Sequence, residues 1–102
     1  MITFLFHLTA KPGVELHLHA LLQEMTSASR ADAGCQQYQF LQLKSDARQW
    51  VLHEQWRDQA ALDAHVAQMF LRFGAPPPGA RLPARLHELS ESFRVVPYEA
   101  LT

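Results

Sequence analysis

Three observations predict an α+β fold of order βαββαβ, with four antiparallel strands in one sheet and two helices on one of its faces. Apolar residues recur at helical spacing in two stretches, residues 14–32 and 59–73, each lying between segments of strand character. Residues 35–44 and Gln49–Trp56 are separated only by the polar turn Ser45-Asp46-Ala47-Arg48, which predicts a hairpin. Chain breakers stand at the joints, at Lys11-Pro12-Gly13, Gly34 and Gly74. This order is the ferredoxin-like split unit.

Taken in order, residues 2–9 are nearly continuous in Ile, Phe and Leu, as befits a central strand covered on both faces. After the Pro12-Gly13 break, Leu18, Leu21, Leu22 and Met25 form an amphipathic stripe, widened by Leu16 and Ala20, and Gly34 provides a left-handed cap shortly after the helix. In residues 35–44, Tyr38 and Phe40 share one strand face, with Leu41 and Leu43 on the other. In the next strand Trp50, Leu52, Glu54 and Trp56 alternate with Val51, His53 and Gln55. Asp58 reads as an N-cap for a helix over residues 59–73, whose stripe is Leu62, Val66, Met69, Phe70 and Phe73. Gly74 and Pro76-Pro77-Pro78 stop that helix. Residues 75–83 make a stiff loop, read either as a lid or as a plain connection, and residues 84–89 a short helical turn. Residues 92–98 close the chain as an edge strand, because Pro97 cannot donate to a ladder.

At 102 residues, 48% hydrophobic and 19% charged, residues 1–102 are expected to form a single folded domain with no membrane span. Nine basic and ten acidic residues give a net charge of -1, and the arginines are scattered, so nucleic acid is not an expected partner. The apolar start lacks a basic region and is too brief for a signal peptide, so it reads as a strand and the protein as cytoplasmic. Cys35 is the only cysteine, which precludes an internal disulfide or a thiolate cluster. Six histidines show no compact ligand spacing, and no metal site is predicted. Two helices cover one face of the sheet, yet Val51, Leu41, Leu43 and Phe40 suggest apolar residues needing cover on the other. A homodimer packed sheet to sheet is therefore expected.

The sequence also draws chemistry toward one place. Trp56 and Glu54 share a strand face, and His65 lies one helical turn from both Leu62 and Met69, at the edge of the apolar stripe. An indole, a carboxylate and an imidazole thus converge between sheet and helix. The structural alternatives are plain: a tryptophan seeking burial, a glutamate accepting a hydrogen bond from Trp56 or His65, and a satisfied histidine near a helix start.

Gly34-Cys35-Gln36-Gln37-Tyr38, Glu54-Gln55-Trp56-Arg57-Asp58, Ala61-Leu62 and His65 together resemble the antibiotic biosynthesis monooxygenase family, whose pattern runs G-C-x-x-Y … E-x-W-x-D-x-x-A-L-x-x-H. The resemblance covers about residues 2–73. It implies a dimeric α+β barrel and a cofactor-independent monooxygenase that oxidises a small aromatic phenol or quinol with molecular oxygen, using neither metal nor flavin. In that reading His65 accepts the substrate proton. Glu54 orients or charge-balances it, and Trp56 completes the catalytic group. Tyr38 donates a hydrogen bond to a substrate oxygen, the ring stacks on or lies edge-on to Trp56 and Trp50, and Phe70 or Phe73 closes the cavity. Two other readings stay open: a non-catalytic small-molecule binder, and an isomerase or decarboxylase of the same superfamily. A haem-degrading branch places its ligand further along the second helix, where Gln68, Met69 and Arg72 stand here, so haem chemistry is disfavoured.

Overall fold

The computed structural model describes residues 1–101. Its elements are β1 (Ile2–Ala10), α1 (Glu15–Arg30), β2 (Cys35–Gln42), β3 (Gln49–Trp56), α2 (Gln59–Phe73), α3 (Ala84–Leu89) and β4 (Ser90–Tyr98). The strands form one sheet in the order β2-β3-β1-β4, antiparallel throughout. This is the predicted ferredoxin-like α+β fold, with a third, short helix where a helical turn was expected. The last strand begins two residues earlier than the sequence suggested.

Register decides which side chains face the helices. Glu54 lies opposite Phe4 of β1 and Tyr38 of β2, and Leu52 opposite Phe6 and Phe40, so these six residues share one face. Phe40 therefore belongs to the helix side, not to the outer face where its need for cover was first placed. On the outer face, Leu5, Val51 and Val96 are half-buried and Leu41 is exposed. Among the described residues, no helix lies on that face.

The core lies between sheet and helices. Helix α1 buries Leu18, Leu21, Leu22, Met25 and Ser29, while Leu16 is 82% exposed and adds nothing to the stripe. Helix α2 opens as predicted: the Asp58 carboxylate accepts the Ala61 N–H at 2.8 Å, satisfying a donor that the first turn leaves free. Its buried line is Ala61, His65, Met69 and Phe73, each one turn from the next. The neighbouring line, Leu62, Val66 and Phe70, is only half-buried. One line packs on the core, and the other faces open space.

Gly34 sets the approach of the α1–β2 turn to α2. Its φ is +83°, and a Cβ there would stand 2.5 Å from the Cβ of Ala61. Only a residue without a side chain lets the turn come this close. The Arg57 N–H donates to the Gly34 carbonyl at 2.8 Å and ties the two segments together. Asp32, two residues earlier, is thereby carried against α2.

Candidate active site

His65 is held on every side. Its Nδ1 lies 3.0 Å from Oδ2 of Asp32, and its Nε2 lies 3.5 Å from Oε1 of Glu54. Its ring stacks on Trp56 with centroids 4.2 Å apart and meets the Tyr38 ring edge-on at 5.8 Å. Asp32 is itself fixed by Arg72, whose Nη1 is 3.3 Å from Oδ1. A carboxylate beside Nδ1 favours the tautomer with its proton there. Nε2 is then left as the basic atom, turned toward Glu54.

Glu54 accepts the Trp56 indole N–H at 2.7 Å, a hydrogen bond that a β-strand supplies readily between residues two apart on one face. Burial raises its proton affinity from the ordinary 4.5 to about 6, the indole N–H offsetting part of the effect. Burial also lowers the proton affinity of His65, against the pull of Asp32. Burial and the nearby Glu54 carboxylate hold the Tyr38 phenol protonated, far above its usual range. Acid and base are thus drawn toward one another in proton affinity, a condition under which a proton passes easily between groups.

Beside these groups is a cavity of about 640 Å³, a volume suited to a small organic molecule. Glu54, His65 and Tyr38 line it, among Phe4, Phe6, Phe40, Leu52, Leu62, Met69 and Phe70. Part of its wall comes from the loop after α2, through Pro76, Ala80, Arg81, Leu82 and Pro83. Whatever else that segment does, it is not remote from the site.

The sequence-predicted residues divide into two groups. Glu54, His65, Tyr38 and Phe70 border the one cavity. Trp56, Trp50 and Phe73 do not. Trp56 is fully buried beneath His65 and offers a substrate no surface; its work is to brace the imidazole and bind Glu54. Trp50 faces a separate groove and stacks on His19 at 5.5 Å, because two residues along β3 carry it past the cavity and under α1. Phe73 continues the buried line of α2 into the core, whereas Phe70 is on the cavity line. Sequence reasoning missed Asp32 and Arg72. Asp32 is 33 positions from His65, and no local spacing could have announced the pair. Among the described residues, no group of three or more His, Cys, Asp or Glu is arranged to hold a metal ion.

Comparison with known proteins places this architecture. The sequence pattern described as antibiotic biosynthesis monooxygenase matches residues 1–69. The crystal structure of PA3566 from Pseudomonas aeruginosa is 31% identical, with a TM-score of 0.83, covering 99% of this chain and 94% of that one. Protein SO0527 from Shewanella oneidensis is 27% identical over 95% of this chain and 87% of its own, with a TM-score of 0.74. A crystal structure of an antibiotic biosynthesis monooxygenase, 21% identical and covering all of both chains at a TM-score of 0.78, shares the fold. A search of curated proteins gave no match. With two thirds of its length matched by the family pattern, and a relative above 30% identity over nearly its whole length, the chain belongs to the antibiotic biosynthesis monooxygenase family.

Proposed function

We propose that the protein is a cofactor-independent monooxygenase that oxidises a small aromatic phenol or quinol with molecular oxygen. The observation that carries this reading is the base: an imidazole anchored at Nδ1 by Asp32, with Nε2 presented beside Glu54 in a cavity of about 640 Å³ whose lining is mostly apolar. The family membership supports it.

In this reading the substrate ring lies among Phe4, Phe6, Phe40 and Phe70 with its hydroxyl at His65. Nε2 takes the phenolic proton. The imidazolium formed is stabilised by the Asp32 carboxylate and by the face of the Trp56 indole. The Tyr38 phenol, kept protonated, is the hydrogen-bond donor toward the substrate oxyanion. An aromatic anion in a mostly apolar cavity is electron-rich enough to pass an electron to oxygen. Recombination forms a carbon–peroxide bond at a ring carbon bearing hydrogen. Loss of that hydrogen as a proton, with cleavage of the O–O bond, leaves a carbonyl and releases water. Phenol and oxygen thus give quinone and water, and the substrate supplies all four electrons that reduce the two oxygen atoms. The protein's contribution is proton transfer, orientation and exclusion of water.

We also propose that the working unit is a homodimer joined through the outer face of the sheet, where Leu5, Val51 and Val96 are only half-buried and Leu41 is exposed.

Oxygen uptake with a naphthol or a menadiol-like quinol, corrected for autoxidation, tests the reaction. Uptake that depends on protein and falls about 10²-fold or more in His65→Ala is expected. No uptake above background, or full turnover by the variant, would defeat the proposal. A second reading, proton transfer without oxygen, is favoured by the contact of Glu54 with His65 Nε2 at 3.5 Å, where burial raises the proton affinity of the acid and lowers that of the base. Turnover of a substrate under nitrogen would select it.

A further inference from the structure

The cavity has an end that the oxygen chemistry does not use. Its floor crosses the sheet from Tyr38 and Phe40, through Leu52 and Glu54, then Phe4 and Phe6, to Val95 of β4. Glu54 and His65 stand over the β2–β3 half. The loop of residues 75–83 forms wall on the way to α3 and β4, at the other edge.

That loop carries Arg81, the one lysine or arginine among the lining residues. Arg48, Arg57, Arg72 and Arg85 each meet a carboxylate; Arg81 meets none among the described residues. The loop that holds it is braced. Ala84 N–H donates to the Gly74 carbonyl at 3.2 Å across the neck, and Ala80 N–H to the Pro77 carbonyl at 2.9 Å within it. Gly74 has φ +99°, and a Cβ there would stand 2.9 Å from that of Ala84, so the neck closes tightly. Pro76, Pro77, Pro78 and Pro83 fix their own φ angles, which lowers the entropy lost when the loop receives a ligand. A guanidinium offers a planar pair of donors matched to a carboxylate.

We infer that the substrate is an anionic aromatic, a phenol or quinol bearing a carboxylate at the end of its ring system remote from the hydroxyl, and that Arg81 selects it. The inference builds on the oxygenase reading for the role of the hydroxyl, but the recognition of charge stands apart from it. Two carboxylates oppose the choice: Glu54 at the hydroxyl end, remote from the proposed acid, and a second one nearer solvent. That second one, Asp63, also lines the cavity, with its Oδ1 accepting from Gln59 Nε2 at 2.8 Å. Its charge repels an incoming carboxylate, so Asp63 and Arg81 act in opposite senses.

Binding, read by titration calorimetry on the full chain, tests this without requiring turnover. The probes are 6-hydroxy-2-naphthoate, with acid and hydroxyl on opposite sides of the ring system, and 2-naphthol, the same rings without the acid. The naphthoate should bind about fivefold more tightly, the scale of a partly screened ion pair. Arg81→Ala should abolish that preference and leave 2-naphthol affinity unchanged, Arg81→Lys should keep most of it, and Asp63→Asn should strengthen the naphthoate alone. Equal affinities in the wild type, a preference that survives Arg81→Ala, or no binding of either compound would overturn the inference. Because no oxygen is consumed, failed oxygen uptake with intact charge selection would remove the reaction and leave Arg81 its role.

Discussion

Replacing Glu54 by Gln tests whether the cavity is the low-dielectric space that the proposed chemistry needs. In the folded chain the Glu54 carboxyl is pushed from 4.5 to about 6 by burial. At roughly 1.4 kcal/mol for each tenfold change in proton affinity, that gap is worth about 2 kcal/mol. The folded state holds this proton more tightly than the unfolded state, so between pH 4.5 and about 6 it binds more protons and stability falls as pH rises. The contribution is complete below 4.5 and gone above about 6. His65 acts in the opposite sense: its folded proton affinity is depressed, so its contribution is present above 6.5 and is lost as pH falls. The two offset one another in the wild type, and only a difference between proteins isolates either. Urea unfolding of wild type and Glu54→Gln at pH 4.5 and 7.5 gives that difference. The variant should gain about 2 kcal/mol on the wild type between the two values, since glutamine has no charge to bury. A stability difference independent of pH would mean that Glu54 is hydrated. The argument for a dry site that raises the reactivity of a bound anion would then fail.

Three further outcomes are expected. Asp32→Asn keeps a hydrogen-bond acceptor beside His65 but removes the charge that raises its proton affinity, so the acid limb of a pH–rate profile should move to lower pH while the maximal rate falls about 10²-fold; an unmoved limb would refute the coupling. Gly34→Ala combines a positive φ with a 2.5 Å approach to Ala61, and chemical denaturation should show a loss of about 2–4 kcal/mol; a loss below about 1 kcal/mol would contradict the close packing of the turn. Val51→Glu places a charge on the uncovered face of the sheet, and light scattering should show one chain per particle where the wild type shows two.

The elements of the fold were legible in the sequence because their signals are local. Asp58 announced the start of α2 by its side chain, Gly74 its end, and alternation in residues 50–56 put Glu54 and Trp56 on one face. These follow from hydrogen-bonding needs and from a side-chain period of two, which act within a few residues. Family membership was legible for the same reason, through spacings within short segments. The site was legible only in part. Helical spacing put His65 near the stripe, but not that it lies at 5% exposure, stacked on Trp56 and beside Asp32.

What the chain decides only on folding is which of several equivalent aromatic residues faces the cavity and what touches the imidazole. Phe70 and Phe73 differ by less than a turn, and Trp50 and Trp56 share a strand face, yet Phe70 alone of these four borders the cavity. Their environments depend on where α1, α2 and the 75–83 loop come to rest over the sheet. That placement is set by long-range packing, such as the approach of Gly34 to Ala61, whose consequence for Asp32 and His65 reaches across 33 positions. Periodicity fixes the direction of a side chain relative to its own element; only the docking of one element on another fixes what that direction meets.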